Sequence, residues 1–386
     1  MKKIKILAYY LPQFHPTYIN DKYWGKGFTE WTNVAKAKPL FRGHEQPMIP
    51  SDLGFYDLRV PEIRREQAKM AEEYGIYGFC YFHYWFGGGE RILEMPFNEV
   101  LKDKSIELPF CLAWANHSWS NKTWNKNNLY QKDITFLEQK YLGDSDYILH
   151  FETLLPAFKD DRYIKVDNKP IFMIYLPFDF PECQHFIELW NNLAKQNGFD
   201  GIYFIAHYFS AQNLKLKQIK NINKLIEEDY RKLLNLGFDA IAPTHQHYAE
   251  VKAIGVVKKA IYSISKKYLR SAIINKYKYS KVMKHFYPSV DCRYNVFPEL
   301  LPRRDRSPRT GRMAQIYYQS SPLEFEKAMR KCLENSSNEN KEGFIFLNSW
   351  NEWGEGSFVE PDSRYGKSYL ETIKKVGEDN YEKRNQ

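Results

Sequence analysis

The sequence predicts a (β/α)₈ TIM barrel with a basic insertion after strand 6. Short apolar runs recur eight times along the 386 residues, and longer stretches of helical character separate them. The runs are apolar almost throughout, as expected for parallel strands that are buried on both faces. A doubly wound sheet is the alternative, but it would usually show a glycine-rich phosphate-binding turn after its first strand, and "LAYYLPQFHP" has none. The regular alternation of strand and helix therefore favours the barrel.

Residues that start or stop helices separate the predicted strands. Pro61 stands in the first turn of a helix that Gly75 ends, and Ser320 or Ser321 caps the helix before the last strand. The seventh strand has the weakest signal, because Pro288 interrupts it. In chain order, the eight strands are predicted at residues 4–10, 76–85, 108–114, 170–175, 202–208, 238–244, 285–290 and 343–350.

Residues 251–284 are too long for a plain crossover and predict a basic helical insertion within a single catalytic barrel domain of residues 1–386. This segment holds ten Lys or Arg and no acid, while the net charge of the whole chain is +9. The rest of the chain is therefore nearly neutral, so no nucleic-acid partner is expected. One side of the predicted helix carries an apolar stripe, and the other carries basic residues. The stripe consists of Ile254, Val257, Ile261, Ile264 and Tyr268, and the basic residues are Lys252, Lys259, Lys266, Lys267 and Arg270.

Two surroundings suit such an amphipathic helix. It either buries its apolar stripe on the barrel and shows its lysines to water, or it lies against an anionic membrane surface. The second alternative would bring the protein close to lipid-linked glycans at the inner face of the cell membrane.

The cysteines and the first residues predict a cytoplasmic protein. Five cysteines are scattered without C-x-x-C spacing, which argues against disulfides or a zinc site and fits a reducing compartment. The start "MKKIKILAYYLPQ" looks like a signal peptide, but Pro12 interrupts its apolar run, so we interpret it as the first strand. No run approaches the ~20 apolar residues of a transmembrane helix.

Polar and aromatic residues follow the predicted strands, where the active site of such a barrel lies. Aromatic rings and hydrogen-bonding groups on one rim are typical of a carbohydrate-binding cleft. The residues predicted to bind substrate are Tyr9, Tyr10, His15, Tyr81, His83, Trp85, Trp114, Asn116, Tyr175, His207, His245, Asp291, Arg293, Trp350, Asn351 and Trp353.

Glu352 and Glu355 are the predicted catalytic residues. They lie in "SWNEWGEG", directly after the eighth apolar run, and their spacing of three places both on one face of a turn or helix. Two close carboxyl groups walled by indoles are expected to have pKa values that are pushed apart, which gives one acid and one base. Glycosidases typically cleave a glycosidic bond with such a pair of carboxyl groups. The alternative is a helix N-terminus enriched in acids that stabilise its dipole.

Other motifs predict neither a metal nor a cofactor. "THQHY" has two histidines at metal-binding spacing but no third ligand, and "FGGGE" lacks the ending of a phosphate-binding loop. The segment "ELLPRRDRSPRTGR" carries five arginines. It is either a clamp for a phosphate or an acidic sugar, or a solvated loop.

Five motifs run in order along the chain: "AYYLPQFHP", "GFTEWTNVAKAKPLFRGHEQP", "YGFCYFHYWF", "LAWANHSW" and "WNEWGEG". Together they resemble the WbsX-like proteins, often described as glycosyltransferases of bacterial polysaccharide loci, whose domain is similar to glycoside hydrolase family 99. The resemblance implies a barrel with the retaining mechanism of that family. It implies Glu352 as the base for a sugar 2-hydroxyl, giving an epoxide-like intermediate, and Glu355 as the acid/base for the leaving group. Gly354 departs from the family 99 motif, which has His there.

Three functions are compatible with these observations. The first is retaining cleavage of a glycosidic bond in a bacterial surface polysaccharide or its lipid-linked precursor. The second is a glycosyltransferase of O-antigen or capsule biosynthesis, which would need an activated donor. The third is a glycan-binding barrel without catalysis, against which the presence of both glutamates argues.

Overall fold

The computed structural model describes residues 4–120, 134–210, 221–269, 272–336 and 342–385. The strands are β1 (Lys5–Tyr10), β2 (Ile76–His83), β3 (Phe110–Trp114), β4 (Trp119–Ser120), β5 (Thr135–Leu137), β6 (Lys165–Val166), β7 (Lys169–Ile174), β8 (Tyr203–Phe209), β9 (Ala240–Thr244), β10 (Asn275–Lys278), β11 (Glu299–Leu300), β12 (Gln315–Tyr318), β13 (Phe344–Leu347), β14 (Asn351–Glu352) and β15 (Ser357–Phe358). Eight of them form the barrel wall, in the spatial order β11, β13, β1, β2, β3, β7, β8 and β9.

The barrel closes between its first and last strands. Neighbouring wall strands are parallel throughout. A parallel bridge between Ile241 and Val296 joins β9 to the residues before β11. Its backbone hydrogen bonds run from Ile241 N to Asn295 O at 2.9 Å and from Phe297 N to Ile241 O at 2.8 Å. The predicted (β/α)₈ barrel is therefore confirmed.

The helices alternate with the wall strands. They are α1 (Tyr18–Trp24), α2 (Glu30–Ala35), α3 (Pro61–Glu73), α4 (Met95–Lys102), α5 (Asp144–Phe158), α6 (Cys183–Gln196), α7 (Ile222–Asn235), α8 (Gln246–Ile254), α9 (Val256–Tyr268), α10 (Tyr279–Met283), α11 (Ser307–Thr310), α12 (Pro322–Asn335) and α13 (Ser368–Asn385). Pro61 occupies the first turn of α3, and Ser321 caps α12 by accepting from the Glu324 backbone N–H. Within the described residues, no helix is both long and apolar enough to cross a membrane.

Seven of the eight predicted strands match wall strands. The prediction of a strand at residues 285–290, the seventh in chain order, was wrong. Residues 285–290 form turns and the start of a short 3₁₀ helix at Ser289–Asp291, and the wall strand is β11, ten residues further on. Pro288 has no backbone N–H to offer a central strand. The segment is apolar because Phe286, Tyr287 and Val290 are buried in the core around the barrel.

Residues 251–284 form the predicted insertion between β9 and β11, comprising the end of α8, then α9, β10 and α10. Strand β10 pairs in parallel with β12 outside the barrel wall. Buried Glu250 of α8 pairs with Lys259 of α9 and accepts a hydrogen bond from the Tyr317 hydroxyl at 2.9 Å. A buried ion pair and a strand pair thus attach the insertion to the rest of the structure.

The inward face of α9 differs from the one that the sequence suggested. Tyr262 and Ser265 are buried and Lys259 points inward. Four residues of the apolar stripe instead face outward, with exposures of 76% at Val257, 44% at Ile261, 52% at Ile264 and 66% at Tyr268. The fifth, Ile254, ends α8 and packs against the core. Of the two alternatives, burial of the stripe on the barrel is therefore wrong for the α9 residues, because α9 docks through Lys259, Tyr262 and Ser265, and Glu250 pairs with Lys259. Arg270 and the side chains of Lys266 and Lys267 lie outside the described residues.

Candidate active site

A short hairpin at the carboxyl end of β13 carries both predicted catalytic glutamates. Strands β14 and β15 are antiparallel, and a 3₁₀ turn at Trp353–Glu355 lies between them. The hydroxyl of Ser349 accepts a hydrogen bond from the Glu352 backbone N–H at 2.8 Å and donates to Ser357 O at 2.6 Å. These local hydrogen bonds hold Glu352 in place at the mouth of the barrel.

A single arginine, Arg309 of α11, joins the two glutamates. Its Nη2 lies 2.7 Å from Glu352 Oε2, and its Nη1 lies 2.6 Å from Glu355 Oε1. The same guanidinium contacts Glu30 of α2, with Nε 3.0 Å from Oε1 and Nη2 3.1 Å from Oε2. Arg309 and Glu30 are both buried. The Arg309 guanidinium thus contacts three carboxyl groups, those of Glu30, Glu352 and Glu355.

Glu355 has two further arginine partners. Arg304 Nη1 lies 2.7 Å from its Oε2, and Arg306 Nη2 lies 3.2 Å from its Oε1. The arginine-rich segment is therefore not a solvated loop. Arg303, Arg304 and Arg309 are buried, and they pair with carboxylates of the protein itself.

The two glutamates have different pKa values because their partners differ. Burial raises the pKa of Glu352 to about 7, although Arg309 opposes the shift. Burial also acts to raise the pKa of Glu355, but Arg304, Arg306 and Arg309 outweigh it and hold this pKa well below its usual range. Around neutral pH, Glu352 is therefore partly protonated and Glu355 is ionised. An ionised Glu355 is the reverse of the resting state expected for an acid, whereas Glu352 is partly in the ionised form expected for a 2-hydroxyl base.

Glu30 explains the glycine between the glutamates. A Cβ at position 354 would lie 1.5 Å from Glu30 Oε1 and 2.9 Å from Arg309 Nε. Any side chain at this position would collide with the ion pair, so Gly354 and Glu30 depend on each other. Sequence reasoning missed Glu30 because it lies on α2, away from every wall strand. Its only signal was an acid within the quoted motif "GFTEWTNVAK".

Tyr84 and Tyr175, the residues that directly follow β2 and β7, lie near the glutamates. The ring of Tyr175, directly after β7, stacks on His207 of β8 with centroids 4.7 Å apart. Burial raises the pKa of Tyr175, and the charges of Glu355 and Glu352 add to the shift. Burial also raises the pKa of Tyr84, where the charges of Glu352 and Glu30 add to it. Deeper in the barrel, the ring of Tyr9 contacts His207 edge-on at 6.0 Å. Of the predicted site residues, Tyr175 thus lies near the glutamates, and His207 and Tyr9 continue from it into the barrel interior.

Several predicted substrate-binding residues instead point outward, into the layer between strands and helices. The Tyr10 hydroxyl donates to Gln67 Oε1 at 2.7 Å, and the Tyr10 ring contacts Tyr81 at 4.5 Å. His83 Nε2 lies 2.8 Å from His150 Nε2, and burial lowers the pKa of His83 to about 3. These contacts stabilise the packing of β1 and β2 against α3 and α5.

Two predicted tryptophans lie in the same layer. Trp85 donates to Asp146 Oδ1 at 3.2 Å and stacks on His150, and Trp114 donates to the Trp85 carbonyl at 3.1 Å. Asn116 links two loops by accepting from Leu176 N at 2.7 Å. Their substrate-binding role remains a prediction, since all of these contacts are with the protein.

A separate cluster contains His245 and Asp291. His245 Nε2 lies 2.8 Å from Asp291 Oδ2, and the Tyr230 hydroxyl donates to Asp291 Oδ1 at 2.7 Å. Arg293 pairs instead with Glu227 at 3.1 Å. The cluster links α7 and α8 to the segment before β11.

The remaining predicted residues support the hairpin and the first strand. Asn351 accepts from Leu11 N at 2.7 Å and donates to Leu11 O at 3.0 Å. Trp353 donates to Glu360 Oε2 at 2.6 Å, and Trp350 packs on Phe79 at 5.1 Å. His15 is buried, and burial lowers its pKa. The indoles thus support the turn that carries Glu352 and Glu355, while their faces are covered by protein.

The described residues include no group of three or more His, Cys, Asp or Glu arranged to hold a metal ion. Metal-independent catalysis therefore remains the prediction made from the sequence.

Comparison with known proteins identifies the family. Residues 6–373 match the family model described as Glycosyltransferase WbsX. The chain belongs to this family. The resemblance inferred from the five motifs is thereby confirmed.

Two sequence relatives share this region. Both are named uncharacterized protein WxcX, from Xanthomonas campestris pv. campestris strains ATCC 33913 and B100, and both are 32% identical to this chain over 375 and 381 residues. The matches cover 96% of this chain and 49% of each relative. The chain thus spans about half the length of these relatives.

Two solved structures show the same fold. One, named glycoside hydrolase-like protein, has a TM-score of 0.58 at 13% identity and covers 97% of this chain and 94% of its own. The other is the GH99 endo-α-mannosidase from Bacteroides thetaiotaomicron, with a TM-score of 0.53 at 13% identity and coverage of 98% for both chains. At this identity, both comparisons describe the fold of the chain.

We predict that Gly354→Ala destabilises the protein and lowers its activity. The new Cβ would overlap Glu30, so the carboxylate must leave Arg309 or the turn must shift. Overpacking of this kind typically costs about 1–3 kcal/mol. Chemical denaturation would measure the loss. Gly377→Ala is the matched control, because a Cβ there meets nothing within 4 Å.

The double variant Glu30→Ala/Gly354→Ala tests the cause of the loss. If the overlap is responsible, the double variant is less destabilised than the sum of the two single variants. Strict additivity would show that Gly354 acts independently of Glu30.

Proposed function

We propose that this chain is a glycan-cleaving enzyme that breaks a glycosidic bond with retention, using Glu352 and Glu355. The observation that carries the proposal is the buried Glu352, whose pKa is raised to about 7 and which Arg309 links to an ionised Glu355. Two carboxyl groups with separated pKa values at the carboxyl end of barrel strands are suited to this chemistry.

Glu352 is the proton-transfer residue of the proposed mechanism. A general base works best when its pKa lies near the working pH, and a pKa of about 7 meets that condition. This supports the role of 2-hydroxyl base that the resemblance implies. Glu355 can hold a proton only after it loses arginine partners, because three guanidinium groups stabilise its charged form. Substrate binding must therefore precede its action as an acid.

A glycosyltransferase is the second candidate, and the description of the matching family favours it. A transferase would use the same glutamates on an activated donor sugar. A glycan-binding barrel without catalysis is the third candidate. Incubating the protein with a candidate polysaccharide, with and without a nucleotide-sugar, separates cleavage, transfer and binding.

The proposed substrate is a bacterial surface polysaccharide or its lipid-linked precursor, with the enzyme at the inner face of the cell membrane. The outward apolar stripe of α9 supports this location, because Val257 and Ile264 are more than half exposed. Lys252 and Lys258 lie exposed on the same segment. An apolar face bordered by lysines can lie in the headgroup plane of an anionic membrane.

We predict that Glu352→Gln and Glu355→Gln each reduce turnover by about 10²–10⁴, because each removes a proton-transfer group or its charged partner. Product formation from a confirmed polysaccharide substrate would be measured. Glu371→Gln is the matched control, since Glu371 is exposed on α13. Wild-type rates in both site variants would rule out the glutamate pair as catalytic.

We predict that kcat/KM of the wild type rises with pH through about 7, as Glu352 loses its proton and becomes a base. The folded-state pKa lies above the ordinary value of 4.5, so the stability that the neutral carboxyl contributes is fully present below pH 4.5 and is lost as the pH rises to about 7. Glu352→Gln should abolish this limb of the profile. A rate that falls above pH 7 would instead assign the acid role to Glu352.

We predict that the protein sediments with vesicles containing phosphatidylglycerol and less with phosphatidylcholine vesicles, with recovery falling as salt rises. Ile261→Glu/Ile264→Glu should reduce the recovery by placing charge in the apolar stripe. Leu323→Glu is the control, because Leu323 is 62% exposed on α12, outside the stripe. Equal recovery with both vesicles at all salt concentrations would contradict membrane contact.

A further inference from the structure

Arg306 is the least neutralised cation beside the glutamate pair. Its Nη2 has one contact, at 3.2 Å from Glu355 Oε1, whereas Arg309 contacts Glu352, Glu355 and Glu30 at 2.6–3.1 Å. Its Nε is buried and has no hydrogen-bond acceptor among the described residues. Its side chain remains 27% exposed, against 8% for Arg309. A guanidinium that is confined by protein yet open on one side can accept an anion from outside.

The charge balance of the cluster points the same way. Three guanidinium groups face the carboxyl groups of Glu30, Glu352 and Glu355. Protonation of Glu352 removes one of the negative charges that face these arginines. Although Glu355 favours the charged form of Arg306, burial and the neighbouring Arg304 and Arg309 lower its pKa. An additional anion at this position would be stabilised by all three arginines.

We propose that Arg306 anchors an anion subsite beside Glu355, and that the glycan substrate carries a carboxylate or phosphate group that binds there. The substrate part of this inference rests on the proposed function. A planar guanidinium fork suits both groups, because it can donate two parallel hydrogen bonds to their oxygens. The sources of the anion differ: a carboxylate indicates an acidic sugar, and a phosphate indicates a phosphorylated or lipid-linked glycan.

Binding of the anion would also release Glu355. An incoming anion competes with Glu355 Oε1 for Arg306, and Glu355 then loses part of the charge that keeps it ionised. Glu355 can next take up a proton from water and pass it to the leaving oxygen as the glycosidic bond breaks, while the 2-hydroxyl that Glu352 deprotonates forms the new bond to the anomeric carbon. Binding of a charged substrate at this subsite would thus allow Glu355 to become protonated and act as the acid.

Binding measurements test the subsite without turnover. The probes are methyl glucuronide, its neutral counterpart methyl glucoside, and inorganic phosphate, each titrated against the protein by calorimetry or NMR. We expect methyl glucuronide, phosphate or both to bind the wild type, and Arg306→Ala to weaken that binding about 10-fold or more. Arg306→Lys should restore part of the affinity, since it keeps the charge but not the fork. Arg312→Ala is the control, because exposed Arg312 contacts Ala272 O and not the glutamates.

Each outcome decides the proposal. Binding of glucuronide alone supports an acidic-sugar subsite, and binding of phosphate alone supports a phosphate subsite. Equal affinity for glucuronide and glucoside without phosphate binding, or unchanged anion affinity in a folded Arg306→Ala variant, would overturn it. If the anions bind through Arg306 but no glycan is cleaved or transferred, the subsite stands and the proposed enzymatic function fails. Glu352→Gln should retain anion binding, which separates the two results further.

Discussion

Arg309 joins three parts of the chain that are far apart in sequence: α2 through Glu30, α11 through its own backbone, and the hairpin after β13 through Glu352 and Glu355. Removing a guanidinium from water costs several kcal/mol, which its partners offset only when the geometry is good. Loss of any partner leaves an uncompensated buried charge. The position of Glu352 therefore depends on Glu30, because both carboxylates contact Nη2 of the same guanidinium.

Identical side chains three residues apart behave differently in this site because they have different numbers of cationic partners. Glu352 is buried with a single guanidinium, so burial dominates and its neutral form is favoured. Glu355 is also buried, but three guanidinium groups surround it and its charged form dominates. The protein thus separates the two protonation states through the arginines of one short segment after β11. The indoles of Trp350 and Trp353 act indirectly, by supporting the turn.

The sequence predicted the wall of the barrel better than the lining of its mouth. Continuous apolar runs signal buried parallel strands wherever the ladder is long, as in β2. The ladder of β11 has two residues, so its signal was weaker than that of the buried apolar turn at residues 285–290. Which strand-end side chains face the mouth could not be read from the sequence. A shift of one residue turns a side chain from the interior toward the helices, as Tyr9 and Tyr10 show.

Glu352 and Glu355 could be assigned to one site from the sequence because both acids are close in sequence and follow a strong strand. Glu30 and the arginines could not be assigned to it, because their contacts span about 280 and 40–50 residues of chain and depend on tertiary packing. The glycine at position 354 offered an indirect signal. A small residue where the related family has a large one indicates that another group fills the space, and here that group is Glu30.

The insertion that carries α9 is not a detachable accessory. Arg304 contacts Glu355 at 2.7 Å and donates through Nε to Gln315 Oε1 at 3.1 Å. Gln315 donates in turn to Glu250, which pairs with Lys259 of α9. Deleting α9 would remove Lys259 and leave Glu250 as a buried anion without its cation. Two hydrogen bonds through Gln315 connect Glu250 to Arg304, which contacts Glu355. A change to α9 that removes Lys259 is therefore expected to disturb the arginines around Glu355. Such a change would be tolerated only if Glu250 were replaced at the same time.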